Sequence, residues 1–161
     1  MPLLCINLLV LVLLPLSLSC DSQNLPIEVQ RNFLPLVRTH MDNTRENITD
    51  ELQNLSCLEL KHKPPNCTTD KADIVETLLI QACEMQSLRL QLTKNLARFV
   101  QMSIGCPCPK KPTKDPSVKS QRRRMARNPG KKQIKKLCKA KGILSCMTLC
   151  YEKLNTLLMD A

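Results

Sequence analysis

The chain of 161 residues has no tryptophan, one tyrosine, two phenylalanines, three glycines and two histidines. Each shortage excludes something. Sandwiches, barrels and open α/β sheets fill strands with aromatic and β-branched side chains and use glycines in turns and phosphate loops, so this composition argues against a sheet. No Gly-rich phosphate loop, no Gly-x-Ser-x-Gly and no His-Glu-x-x-His occurs in it. His40 and His62 stand among polar residues and read as surface histidines rather than as ligands or a base. The acids are scattered, and Cys106-x-Cys108 lacks the second pair that a zinc site requires. The sequence therefore predicts no catalytic residue, no metal and no cofactor. It predicts a protein that is not an enzyme and works by presenting a surface.

What is present is ten cysteines, eleven prolines and a formal net charge of +10. Residues 2–19 are uncharged, strongly apolar and end in the small residues Ser17 and Ser19, the pattern of a secretory signal peptide. A signal anchor is the alternative, but the run is short for a span of ~20 residues and Pro15 precedes the small-x-small site. Cleavage after Ser19 removes Cys5 and leaves one domain, 20–161, carrying nine cysteines; a cut after Cys20 leaves eight. Nine is odd and implies a free or capped thiol. The expected setting is extracellular and oxidising, where thiols pair. The sequons at Asn47, Asn54 and Asn66 agree with export and mark solvent-facing positions for glycans.

Leu, Met, Lys, Gln and Glu dominate the middle and end of the chain and favour helix. Residues 27 to about 56 hold a helical pattern interrupted by Pro35, with Ile48, Leu52 and Leu55 on one face. Asn43-Thr44 could cap the later part, or Pro35 could open one longer helix. Lys61 to Thr69 is a Pro-rich loop. From Asp70, a cap with Asp73 and Glu76 behind it, apolar residues Ile74, Leu78, Met85, Leu88, Leu92, Leu96 and Phe99 recur at helical spacing to Ile104. This stretch is one long helix or, as we read it, two with a tight turn between Gln86 and Thr93. Gly105 and the prolines after it end the helix. The last helix covers roughly Lys131 to Met159, with the stripe Leu137, Ala140, Leu144, Met147, Tyr151, Leu154 and Leu158.

Of the 24 Lys and Arg residues, 14 lie between Lys110 and Lys141 against the single acid Asp115, so that segment carries +13 and the rest −3. Within it, about 109–130 reads as a mobile basic loop. Arg122, Arg123, Arg124 and Arg127, continued by Lys131, Lys132, Lys135 and Lys136 on the last helix, make a polyanion-binding cluster. Outside the cell the abundant polyanion is heparan sulfate, and no aromatic is interleaved for base stacking, so nucleic acid is not expected. A solvated loop that binds nothing specific remains open, as does processing at Gln121-Arg122-Arg123-Arg124.

Helix geometry constrains the cysteines. Cys146 and Cys150 are one turn apart on one face, and Cys138 is rotated from Cys150 by about a third of a turn, so Cys138 and Cys150 need different partners. The order of features resembles the short-chain four-helix cytokines, and within them the interleukin-7/interleukin-9 family. Leu11-Val12-Leu13-Leu14-Pro15 followed by Ser19-Cys20-Asp21 is similar to that family's precursor junction, and Leu96 to Met102 to its Leu-Arg-Gln-Phe-Leu-Lys-Met segment. Cys138, then Cys150, Tyr151 and Lys153, resemble its Cys…Cys-Trp-x-Lys arrangement. The chain departs from the family in Tyr151 for Trp and in a short stretch between Phe99 and Cys106.

The resemblance implies an all-α, disulfide-stapled, short-chain four-helix bundle of up-up-down-down topology. It implies bridges from Cys20 to Cys106 or Cys108, from Cys57 to Cys138 and from Cys67 to Cys150; Cys83 and Cys146 have no counterpart, and we expect them to form a fourth bridge. It implies a monomeric secreted growth factor of lymphocytes that joins an interleukin-7 receptor alpha-like chain, through its first and third helices, to the common gamma chain, through its first and last. Glu46 and Asp50 are our candidates for the alpha-chain face, Tyr151 and Lys153 for the gamma-chain face; Tyr151 reads equally well as core. The rivals are an interleukin-9-like or interleukin-4/13-like cytokine and, from another class, a cationic host-defence protein. The basic run lacks the interleaved apolar residues that membrane insertion needs.

Overall fold

Every regular element in the computed structural model, which describes residues 24–53, 55, 57, 67–109 and 129–160, is helical. The signal segment, Cys20, Asn54, Asn66, His62 and Arg122, Arg123, Arg124 and Arg127 lie outside the described residues.

The first rod starts where Leu25 is extended and Pro26 takes the first helical position, needing no N–H there. The Leu25 N–H donates to the Glu28 carboxylate at 3.2 Å, which closes helix α1, Pro26–Asn32. Pro35 neither starts nor ends a helix. It removes one i→i−4 donor and its ring crowds the carbonyl a turn earlier, and the backbone answers with a π-helical segment, Phe33–Arg38, before regular helix resumes as α2, Thr39–Leu52. Asn43-Thr44 is therefore not a cap. Thr44 is buried inside α2, and its hydroxyl donates to the His40 carbonyl at 2.6 Å. Gln53, at φ 42°, ends α2, so Leu55 falls beyond it and is 51 % exposed instead of joining Ile48 and Leu52 in the core.

Asp70 opens α3, Lys71–Ser87, by accepting from the N–H groups of Ala72 and Asp73 at 2.8 and 3.2 Å. Replacing Asp70 by alanine is expected to lower stability by about 1 kcal/mol in urea unfolding. The chain then turns at Leu88–Leu90, with Arg89 at φ 55°, into α4, Gln91–Ile104. The buried Thr93 hydroxyl lies 3.2 Å from the Met85 carbonyl and 3.0 Å from that of Leu90, which ties α4 to the end of α3. Gly105, at φ 78°, supplies the left-handed turn that ends α4. The last helix, α5, runs over Pro129–Met159, about 46 Å at 1.5 Å per residue.

The helices close on one core. Val29, Val37, Met41 and Ile48 of the first rod meet Ile74, Leu78 and Met85 of α3, Leu96, Val100 and Ile104 of α4, and Leu137, Leu144, Met147, Tyr151 and Leu154 of α5. Phe33 stacks on Tyr151 with ring centroids 4.3 Å apart. His40, which the sequence places at the surface, stacks on Phe99 at 3.8 Å and is half-buried.

Disulfides clamp the connections to this body. Cys57 is bonded to Cys138 and Cys67 to Cys150, so both ends of the 53–70 connection are fixed to α5. Cys106 is also disulfide-bonded. Cys83 is bonded to Cys108, not to Cys146, which corrects the expected fourth bridge. The reason is local: Gly105 turns the chain back toward α3, the Cys108 N–H donates to the Gln101 side chain at 3.2 Å, and that side chain donates to Gln86, one turn from Cys83. Cys108 is thus no longer a candidate partner for Cys20, and Cys146 keeps its thiol.

Candidate functional site

Glu46 and Asp50 are exposed one turn apart on α2, on the side opposite Met41, Thr44, Ile48 and Leu52. Their electrostatic state differs from that of Asp42 on the same helix. Asp42 pairs with Arg45 at 2.8 Å and lies 4.0 Å from Arg38, whereas among the described residues neither Glu46 nor Asp50 has an ionic partner. Two uncompensated carboxylates are therefore available to a basic partner. The sequon residue Asn47 is exposed beside them, seven residues and two turns beyond His40, on the flank of α2 that packs on α4.

The other two candidates come out differently. Tyr151 is 1 % exposed, stacked on Phe33, with its hydroxyl 3.5 Å from that of Ser103; burial holds the phenol above its usual pKa and the Ser103 contact acts the other way. It is a core residue in this structure and presents nothing to a partner, which corrects its assignment to a contact face. Lys153 is half-buried, and its ammonium donates to the Cys67 carbonyl at 3.2 Å. It lines a shallow groove with Cys67, Leu149, Glu152 and Thr156. It latches the 53–70 connection onto α5.

A surface that the sequence pattern missed lies between the first rod and α5. Gln30 donates to Asn155 of α5 at 3.0 Å, and Ile27 and Leu34, three residues before it and four after, are 48 % and 59 % exposed. The signal was available as an apolar pair seven residues apart, Ile27 and Leu34, but such a pair is indistinguishable in sequence from part of a core stripe. Alternation of burial between Val29 and its neighbours is what separates the two.

Lys131, Lys132 and Lys135 are exposed and Lys136 half-buried in the opening turns of α5. Lys139, one turn later, pairs with Glu84 at 2.7 Å. Cations at a helix N-terminus oppose the macrodipole, at roughly 0.3–1 kcal/mol each near the end. An anion drawn to this cluster would relieve that repulsion. Among the described residues no cluster of His, Cys, Asp or Glu could hold a metal ion, and no helix is long and apolar enough to cross a membrane.

Compared with models of protein families, with curated proteins and with solved structures, the chain matches none.

Proposed function

We propose that this chain is a secreted four-helix cytokine of interleukin-7 type that bridges an interleukin-7 receptor alpha-like chain and the common gamma chain. The observation that carries the reading is the disulfide frame: Cys57 to Cys138 and Cys67 to Cys150 on an all-helical body, the pairs that the resemblance implies. An up-up-down-down topology is supported by the order of contacts. Asn24 reaches Ser103 while Thr44 reaches Leu92; Gln30 reaches Asn155 while Arg45 reaches Thr148; Gln81 reaches Cys150 while Glu84 reaches Lys139. In each pair of helices the early residue of one meets the late residue of the other, and parallel neighbours need long connections such as 53–70 and 105–128.

Two receptors need two faces. The free carboxylates Glu46 and Asp50 fit a basic partner and remain our candidates for the alpha chain. On the other side, exposed Ile27 and Leu34 beside α5 provide the apolar centre that a protein contact uses, and they replace Tyr151 as candidates for the gamma-chain face. The lysines opening α5 would hold heparan sulfate and keep the cytokine near cells.

The test is binding of the mature, oxidised chain to candidate receptor ectodomains. The reading expects binding to both chains, with E46K/D50K weakening only the first by tenfold or more and I27D/L34D only the second. A chain that binds neither and permeabilises anionic vesicles is a host-defence protein. Heparin affinity is separate: K131E/K132E/K135E is expected to elute at lower salt with its receptor binding unchanged.

A further inference from the structure

Cys146 is the free cysteine among the described residues, and it is not isolated. It stands four residues before Cys150 on α5, so the two side chains leave the same face about 6 Å apart along the axis. Cys150 is bonded to Cys67, and the Cys67 Sγ lies 3.8 Å from the carbonyl oxygen of Cys146 itself. Three sulfurs are gathered over little more than one helical turn, and one bond can join only two of them. The nucleophile and the leaving group are also differently placed. Cys146 is partly exposed to solvent, whereas Cys150 is fully buried, with the Gln81 amide nitrogen 3.8 Å from its sulfur and the Gln81 amide oxygen at 4.0 Å.

We propose that Cys67 exchanges between Cys150 and Cys146, so that the folded protein exists as two disulfide isomers. The Cys146 thiol gives its proton to water, and the thiolate attacks the Cys67 Sγ. The Cys67–Cys146 bond forms as the Cys67–Cys150 bond breaks, and Cys150 leaves as a thiolate that takes up a proton. Nothing is oxidised or reduced overall, and no outside thiol is needed. Gln81 assists the leaving sulfur twice, by donating from its nitrogen to the thiolate and by accepting from the thiol once the proton returns. The exchange draws Cys67 one turn toward the start of α5. It takes the Cys67 carbonyl away from Lys153 and resets the end of the 53–70 connection, the element that both long bridges fix to the bundle.

The methionines make the isomers separable. Cyanogen bromide cleaves after Met41, Met85, Met102, Met125, Met147 and Met159 in acid, where exchange is frozen. With Cys67 on Cys150, the peptide from Thr148 to Met159 stays attached to the peptide from Asp42 to Met85; with Cys67 on Cys146, it is released carrying a thiol. The mature chain is incubated at mildly alkaline pH, quenched in acid, labelled with a thiol reagent active in acid, and cleaved without reduction. The proposal expects the released, labelled peptide from wild type and its loss from C146A, whose fold is checked by circular dichroism. It expects C150A to form the Cys67–Cys146 bond. Wild type labelled at Cys146 alone after prolonged incubation, or disulfide-linked dimers through Cys146 in place of the released peptide, overturns it. So does a folded C150A with thiols at both Cys67 and Cys146, and the wild-type result stands whether or not C150A folds.

Discussion

Replacing Cys57 and Cys138 together by serine is expected to lower the free energy of unfolding by about 4–5 kcal/mol. The bridge closes a sequence separation of 81 residues, and the chain-entropy estimate for a loop of that size is close to 4.5 kcal/mol at 25 °C. Cys67–Cys150 spans 83 residues and belongs to the same class, whereas Cys83–Cys108 spans 25 and is expected to contribute about 3.5 kcal/mol. Urea unfolding of the double variants gives the order directly, and thermal scans should place C57S/C138S roughly 10–20 °C below wild type. Both partners are removed together because a single serine leaves a thiol free to exchange with neighbouring bridges. Equal losses for the 81- and 25-residue bridges would mean that native-state packing, and not loop closure, sets their contribution.

The same numbers explain why so thin a core suffices. One tyrosine, two phenylalanines and no tryptophan leave leucine, isoleucine, valine and methionine to fill the interior. Aliphatic side chains bury less area apiece than aromatics, and the bridges offset this by restricting the unfolded chain. They act at the ends of the 53–70 connection and behind the Gly105 turn, where the chain leaves its helices.

How much of this was legible in the sequence depended on the range of the signal. Periodicity read along a helix was reliable: of the stripe Leu137, Ala140, Leu144, Met147, Tyr151, Leu154 and Leu158, all but the half-buried Leu158 are buried, and Asp70 caps α3. The hairpin turn was located only as a window, because Arg89 at φ 55° takes a backbone state usually given to glycine or asparagine, and no such residue announces it. Pro35 was read as a boundary because proline usually is one, and here Val37 and Phe33 find enough packing on α5 and the core for a π turn to keep the rod continuous. The Cys83–Cys108 bond escaped because it depends on where the chain goes after Gly105, which helical wheels do not contain. At the candidate site, the exposed carboxylates Glu46 and Asp50 followed from pattern alone. Tyr151 did not, since a residue in an apolar stripe can be read as core or as contact until its neighbours are known.

Tyr151 gives the second large effect. Truncation to alanine removes a fully buried ring stacked on Phe33 and is expected to cost about 3–5 kcal/mol, whereas phenylalanine keeps the ring, loses only the 3.5 Å contact to Ser103 and is expected to cost about 1 kcal/mol or less. A pH dependence follows with a definite sign. Burial raises the phenol pKa in the folded state, so the folded chain holds its proton where the unfolded chain has lost it. Stability from this residue is intact below the unfolded phenol pKa of about 10 and falls as pH rises above it. Because Tyr151 is the one tyrosine, phenolate absorbance reports on it alone, and it should ionise together with alkaline unfolding, not ahead of it. The Y151F variant should lose that component of the alkaline transition. In receptor binding the same pair separates core from contact: a residue that acts only through the core leaves the affinity of a folded Y151F unchanged, and a tenfold loss there would return Tyr151 to the gamma-chain face.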